Sequence, residues 1–127
     1  MEPRRIMMID DEVGFTNLTK LNLEKTGKYA VCIENDSTKA VTAARAFKPE
    51  LILLDIVMPG KDGGEVMAAL RQEPELDRVP VAFLTATLSI AAVAQRDNQI
   101  KGCPCIAKPI SPKELMREIE TILKNHR

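Results

Sequence analysis

Apolar residues take two alternating forms along the chain: short unbroken runs, and longer segments in which they return every three or four positions. The runs are Ile6-Met7-Met8-Ile9, Tyr29-Ala30-Val31-Cys32-Ile33, Leu51-Ile52-Leu53-Leu54, Val81-Ala82-Phe83-Leu84 and Cys103 to Ala107, each of strand length. Between them lie helical periods. Phe15, Leu18 and Leu21 share one face of a first helix that Gly27 is placed to end, and Ala40, Ala43, Ala44 and Phe47 form a second stripe stopped by Pro49. Asp36 and Ser37 are both able to cap that second helix. Val66 and Leu70 carry a third helix ahead of Pro74, and Leu88 to Asn98 is weakly amphipathic. Ser111-Pro112-Lys113-Glu114 combines a capping box with proline at the first helical position, before a stripe of Leu115, Ile119, Ile122 and Leu123. Five strands alternating with helices predict an α/β domain: a doubly wound, five-stranded parallel sheet covered on both faces. Parallel neighbours need crossovers, so every strand leaves its carboxyl end on one rim.

Composition narrows this picture. A chain of 127 residues with 45% hydrophobic content supports one domain, taken as residues 1–127. Eighteen basic and eighteen acidic residues cancel, which removes the positive excess that direct nucleic-acid binding relies on. No apolar run approaches the roughly 20 residues of a membrane span. Cys32, Cys103 and Cys105 are an odd number, Cys103-Pro-Cys105 lacks the spacing of a metal or redox pair, and no leader pattern opens the chain. A soluble protein in a reducing cytoplasmic compartment is expected.

The chemistry gathers on the predicted rim. Asp10, Asp11 and Glu12 follow the first strand, Asp55 the third, Thr85 the fourth and Lys108 the fifth. Open α/β sheets bind ligands outside those ends. Three carboxylates in one crevice repel, by on the order of 4 kcal/mol per close pair at about 4 Å and a dielectric near 20. A cation should sit among them, and oxygen ligands without nearby His or Cys suit Mg²⁺ better than zinc. A hydroxyl at Thr85 and an ammonium at Lys108 suit phosphoryl oxygens, with Asp55 as a carboxylate nucleophile. Each residue alone has a plainer reading: Asp10 to Glu12 as a helix cap, Asp55 as a turn residue, Thr85 as a strand end, Lys108-Pro109 as a turn with a cis bond.

Taken together, "MMIDDE", "LLDIVMPGKDGGE", "FLTAT" and "IAKPISPKEL" resemble the signatures of the response regulator receiver domain of two-component signalling, over essentially the whole chain. The resemblance implies a (βα)5 flavodoxin-like fold with strand order 2-1-3-4-5. It implies that Asp55 accepts phosphate from a partner's phosphohistidine, that Asp10, Asp11, Asp55 and the backbone carbonyl of Val57 organise Mg²⁺, and that Thr85 and Lys108 contact the phosphoryl group. Met58, Pro59 and Gly63 match the loop after the phosphoacceptor, and Thr85, Cys105 and Pro109 fall at switch or output positions. The implied partners are a sensor histidine kinase or histidine phosphotransfer protein as donor, and a downstream protein or fused output domain as receiver of the signal. Phosphorylation-dependent pairing of two receivers is a further expectation, and the domain is a phosphoacceptor, not a turnover enzyme.

The sequence departs from the family at Cys105, where the family often places Tyr or Phe three residues before the lysine. With no ring to swing inward, output is expected to depend more on the loop and helix after Thr85. Val57 and Thr87 stand at positions that tune phosphoryl lifetime in the family. Two rivals remain: an aspartyl-phosphate hydrolase, whose second acid is replaced by Val57, and a degenerate receiver acting as a constitutive interaction module. His126, in a charged tail, is not expected to be a phosphodonor.

Overall fold

A computed structural model describes residues 2–60, 62–86, 99–100 and 103–125. Six strands run β1 (Arg4–Ile9), β2 (Tyr29–Glu34), β3 (Leu51–Asp55), β4 (Val81–Thr85), β5 (Gln99–Ile100) and β6 (Cys103–Ala107). The helices are α1 (Val13–Glu24), α2 (Ala40–Phe47), α3 (Gly63–Arg71) and α4 (Pro112–Asn125), with a 3-10 turn at Ser37–Lys39 before α2. The sheet order is β2-β1-β3-β4-β6-β5. Five of these strands are parallel neighbours in the expected 2-1-3-4-5 sense, because the predicted fifth strand is β6. The difference is β5, which pairs antiparallel with β6 at the edge. Two residues are too short a run to leave a period in the sequence. The predicted helix from Leu88 to Asn98, Thr87 and His126 lie outside the described residues.

The unbroken apolar runs have a direct cause. Along β1 and β3, Met7, Ile9, Ile52 and Leu54 point to one core with Ala40 and Ala44 of α2 and Val66 and Leu70 of α3. Ile6, Met8, Leu51 and Leu53 point to the other, with Leu23 of α1 and Leu115, Ile119 and Leu123 of α4. Successive side chains alternate faces, and both faces are covered, so no position in these runs is left for a polar residue. Leu51 to Leu54 are all fully buried, each stabilising the fold by about 1.5–3 kcal/mol. Asp55 is the first residue past that run, and the core therefore fixes where it begins.

Local signals terminate the helices as expected in most cases. Gly27 takes a positive φ of 78° just beyond α1, and Lys48 takes φ 56° after α2, ahead of Pro49. Asp36 accepts from the Thr38 N–H and starts the 3-10 turn. Ser111 Oγ accepts the Glu114 N–H at 3.1 Å, which is the forward half of the expected box at α4. A reciprocal box exists at α3, between Asp62 and Glu65.

The expected apolar face of α1 holds at Phe15, which packs against the core, and requires correction at Leu18 and Leu21. Leu18 and Leu21 are 60% and 64% exposed, and the buried positions are Thr16, Thr19 and Leu23. Thr16 is tolerated inside because its hydroxyl is satisfied locally, by the Val13 carbonyl at 3.0 Å and the Glu12 carbonyl at 3.2 Å. Apolar spacing alone does not register a threonine that buries its hydroxyl in this way.

Candidate functional site

The ends of β1, β3, β4 and β6 meet at one rim. β1 pairs with β3 so that Ile9 lies beside Leu54, and the next residues, Asp10 and Asp55, emerge together at the rim. One carboxylate oxygen from each of Asp10, Asp11 and Asp55 lies within 4.8 Å of the others. Asp10 is fully buried, Asp55 is 7% exposed, and Asp11 is open to solvent. Lys108, just after β6, reaches across: its Nζ is 2.8 Å from Asp10 Oδ2 and 4.0 Å from Asp55 Oδ2. The ammonium also lies 4.6 Å from the centroid of the Phe15 ring.

The loops around the cluster are held by backbone bonds. The Ile56 N–H donates to the Leu84 carbonyl, continuing the β3–β4 ladder past Asp55, and the Gly63 N–H donates to the Ile56 carbonyl at 2.7 Å. Gly63 is required by close approach, since a Cβ there would lie 2.6 Å from the Asp55 carbonyl oxygen and 2.8 Å from Ile56 Cα. Ser37 Oγ donates to the Pro59 carbonyl at 3.0 Å, tying the loop after β3 to the start of α2. Met58 folds back into the core. The Lys108 N–H donates to the Thr85 carbonyl at 2.7 Å, which places the buried Thr85 and Lys108 on neighbouring strand ends.

The electrostatics are unbalanced. Burial, then the Asp10 charge, raises the Asp55 carboxyl from 3.8 to about 6, against the opposing pull of Lys108 and the Val57 N–H. Burial would lower Lys108, but hydrogen bonds to Asp10 and Glu12 and the charges of Asp10 and Asp55 outweigh it and raise its pKa. Among the described residues, one ammonium thus faces Asp10, Glu12 and Asp55, with Asp11 beside them. An all-oxygen set with a cationic deficit fits a hard divalent ion such as Mg²⁺, and does not supply the thiolate or imidazole that zinc prefers.

The expected residues are thus mostly together. Asp10, Asp11, Asp55 and Lys108 share the cluster, and Thr85 borders it. Val57 is attached through its N–H, which donates to Asp55 Oδ1 at 3.4 Å, while the residue as a whole is 62% exposed. Pro109 follows Lys108 through a cis peptide bond. Cys105 is elsewhere, buried in the core beside Phe83 of β4. Among the described residues, Asn35 carries no obvious sequence signal, and Glu12, expected at the rim, has a partner that the sequence does not name. Asn35 Nδ2 donates to the Asp10 carbonyl at 2.7 Å and to Thr16 Oγ1 at 3.1 Å, pinning β1's exit to β2 and α1. Glu12 Oε1 accepts from Lys108 Nζ at 2.8 Å. Its local geometry was readable, because an aspartate commonly bonds the N–H two residues on, but its partner 96 positions away was not.

Comparison with known proteins identifies the family and the fold neighbours of the chain. The family model described as "Response regulator receiver domain" matches residues 6–120. The chain is 32% identical over 126 residues to the alkaline phosphatase synthesis transcriptional regulatory protein PhoP of Bacillus subtilis, covering 95% of this chain and 49% of that protein. It is 31% identical over 124 residues to the DNA-binding response regulator MtrA of Mycobacterium tuberculosis, covering 97% and 52%. The chain therefore spans about half the length of these relatives. Among solved structures, a putative response regulator from Chloroflexus aurantiacus superposes with a TM-score of 0.80 at 27% identity, covering 97% of this chain and 99% of that one. The receiver domain of the sensor histidine kinase PA1611 from Pseudomonas aeruginosa, which has a magnesium ion in its active site cleft, shares the fold with a TM-score of 0.81 at 24% identity, covering 97% and 99%.

Proposed function

Because the chain belongs to the response regulator receiver domain family, a signalling module of two-component systems, we propose that Asp55 is its phosphoacceptor and that residues 1–127 act as one receiver domain. The observation that carries this reading is Asp55 itself: a nearly buried carboxylate at a strand end, with Asp10, Asp11 and Lys108 converging on it. Receiver domains bind Mg²⁺ at an acidic site, and here Asp10, Asp11, Asp55 and the Val57 carbonyl would hold it. When bound, the ion supplies positive charge to the carboxylates and to the transferring phosphoryl oxygens.

The chain's own residues do the rest. Asp55, mostly ionised at neutral pH despite its raised pKa, presents an oxygen to phosphorus. The O–P bond forms as the donor's N–P bond breaks, the electron pair returns to the imidazole nitrogen, and the acyl phosphate remains on Asp55. Lys108 offsets charge on the phosphoryl oxygens, and Thr85 bonds one of them from the neighbouring strand end. Asp10 keeps Lys108 at the rim. The donor is a sensor histidine kinase or histidine phosphotransfer protein. The signal passes to a downstream protein or an attached output domain, including by pairing of two receivers.

Acetyl phosphate or phosphoramidate with Mg²⁺ should add one phosphoryl group, read by intact mass, and Asp55→Asn should add none. Equal uptake by the variant would reject the assignment.

A further inference from the structure

Lys108 is held by two carboxylates of different character. Asp10 is fully buried and fixed at the end of β1, whereas the Glu12 side chain is 60% exposed and reaches the same ammonium at 2.8 Å from the solvent side. Glu12 is aimed there by Asp10. The Glu12 N–H donates to Asp10 Oδ1 at 2.9 Å, while Asp10 Oδ2 accepts from Lys108 at 2.8 Å, so both oxygens of one buried carboxylate organise this pair. Helix capping does not explain Glu12, because it occupies the N-cap position of α1 and its side chain makes no capping bond. The ammonium therefore sits on the Asp10 and Glu12 side of the site, 4.0 Å from Asp55 Oδ2.

Resting on the phosphoacceptor reading, we propose that Glu12 is a positioning residue acting through Lys108: it retains the ammonium in the unloaded protein and competes with a phosphoryl group on Asp55 for it. Phosphoryl oxygens on Asp55 and the Glu12 carboxylate are rival acceptors for the same N–H donors. Removing the Glu12 charge frees Lys108 for Asp55 and favours the loaded state. Glu12 thus sets how readily the site is filled without touching phosphorus.

The test uses beryllium trifluoride, which forms a phosphoryl-like adduct on a carboxylate, titrated into the full chain at saturating Mg²⁺ and followed by amide and lysine ammonium NMR signals. Glu12→Gln keeps the shape and removes the charge at an exposed position, so an unchanged amide spectrum reports intact folding. The variant should reach half-saturation at about two- to five-fold lower beryllium trifluoride, the range expected for losing one partly exposed ion pair. Its Lys108 ammonium signal should already be displaced before any addition. A separate titration with Mg²⁺ alone should shift less than the adduct titration. Equal or weaker adduct formation in the variant, an unmoved Lys108 signal, or an equal shift with Mg²⁺ alone would overturn the role of Glu12 and leave Asp55 as phosphoacceptor. No adduct in the wild-type protein would overturn both.

Discussion

The two ends of β3 carry carboxylates in opposite electrostatic states. Glu50, just before the strand, accepts from Arg4 Nε and from the Arg5 N–H, with the Arg5 guanidinium 3.6 Å away. Burial would raise its pKa, but these contacts outweigh that and lower it. Asp55, at the other end, is raised to about 6 by burial and by Asp10. At the amino end two cations serve one carboxylate and the structure is locally complete. At the carboxyl end, among the described residues, carboxylates outnumber the ammonium, a charge deficit that an added cation can relieve. The difference separates a structural ion pair from a site.

Removing Lys108 should enlarge the contrast most. Lys108→Ala leaves the fully buried Asp10 without its cation, and urea unfolding in a chelator is expected to show a loss of about 3–5 kcal/mol, partly restored by Mg²⁺. A loss below about 1 kcal/mol would mean that the carboxyl end is already balanced.

Asp55→Asn should narrow the contrast and stabilise the metal-free protein. Because the folded pKa of about 6 exceeds the usual 3.8, the folded state binds the extra proton between those values. Stability from this group is present at low pH and lost as pH rises toward 6, so the ionised carboxylate is a cost at neutral pH. The variant should gain on the order of 1–3 kcal/mol at pH 7.5, and the gain should shrink as pH falls toward 4. A pH-independent difference would remove the electrostatic explanation.

Gly63→Ala tests the geometry that holds the carboxyl end in place. The added methyl group meets backbone atoms of Asp55 and Ile56, so a cost of about 1–3 kcal/mol and weaker Mg²⁺-dependent stabilisation are expected in parallel melts. The smallest effect belongs to the amino end. Glu50→Gln should cost less than about 1 kcal/mol, because the pairs with Arg4 and Arg5 are half exposed, and should leave the Mg²⁺ response unchanged.

What the sequence disclosed follows the same division. The interior of β3 and the position of Asp55 were legible because a central strand buried on both faces permits only apolar residues up to the rim. The convergence of Asp10, Asp55 and Lys108 was legible once the strand ends and their order were assigned. The α1 face was legible only at Phe15, since Thr16 buries a hydroxyl that its own helix satisfies, while Leu18 and Leu21 face solvent. The Glu12–Lys108 and Asn35–Asp10 contacts were not legible, because pairings between distant segments leave no local period. Two-residue β5 fell below any pattern length.

If the deficit at the carboxyl end of β3 makes Asp55 the residue that carries phosphate, the modified position identifies it. Borohydride reduction of the protein after acetyl phosphate and Mg²⁺ treatment, followed by peptide mass mapping, reads the modified position directly, since reduction of an aspartyl phosphate leaves homoserine. Homoserine is expected at position 55 alone. Homoserine at position 10 or 11, or none at position 55 when intact mass shows uptake, would contradict it.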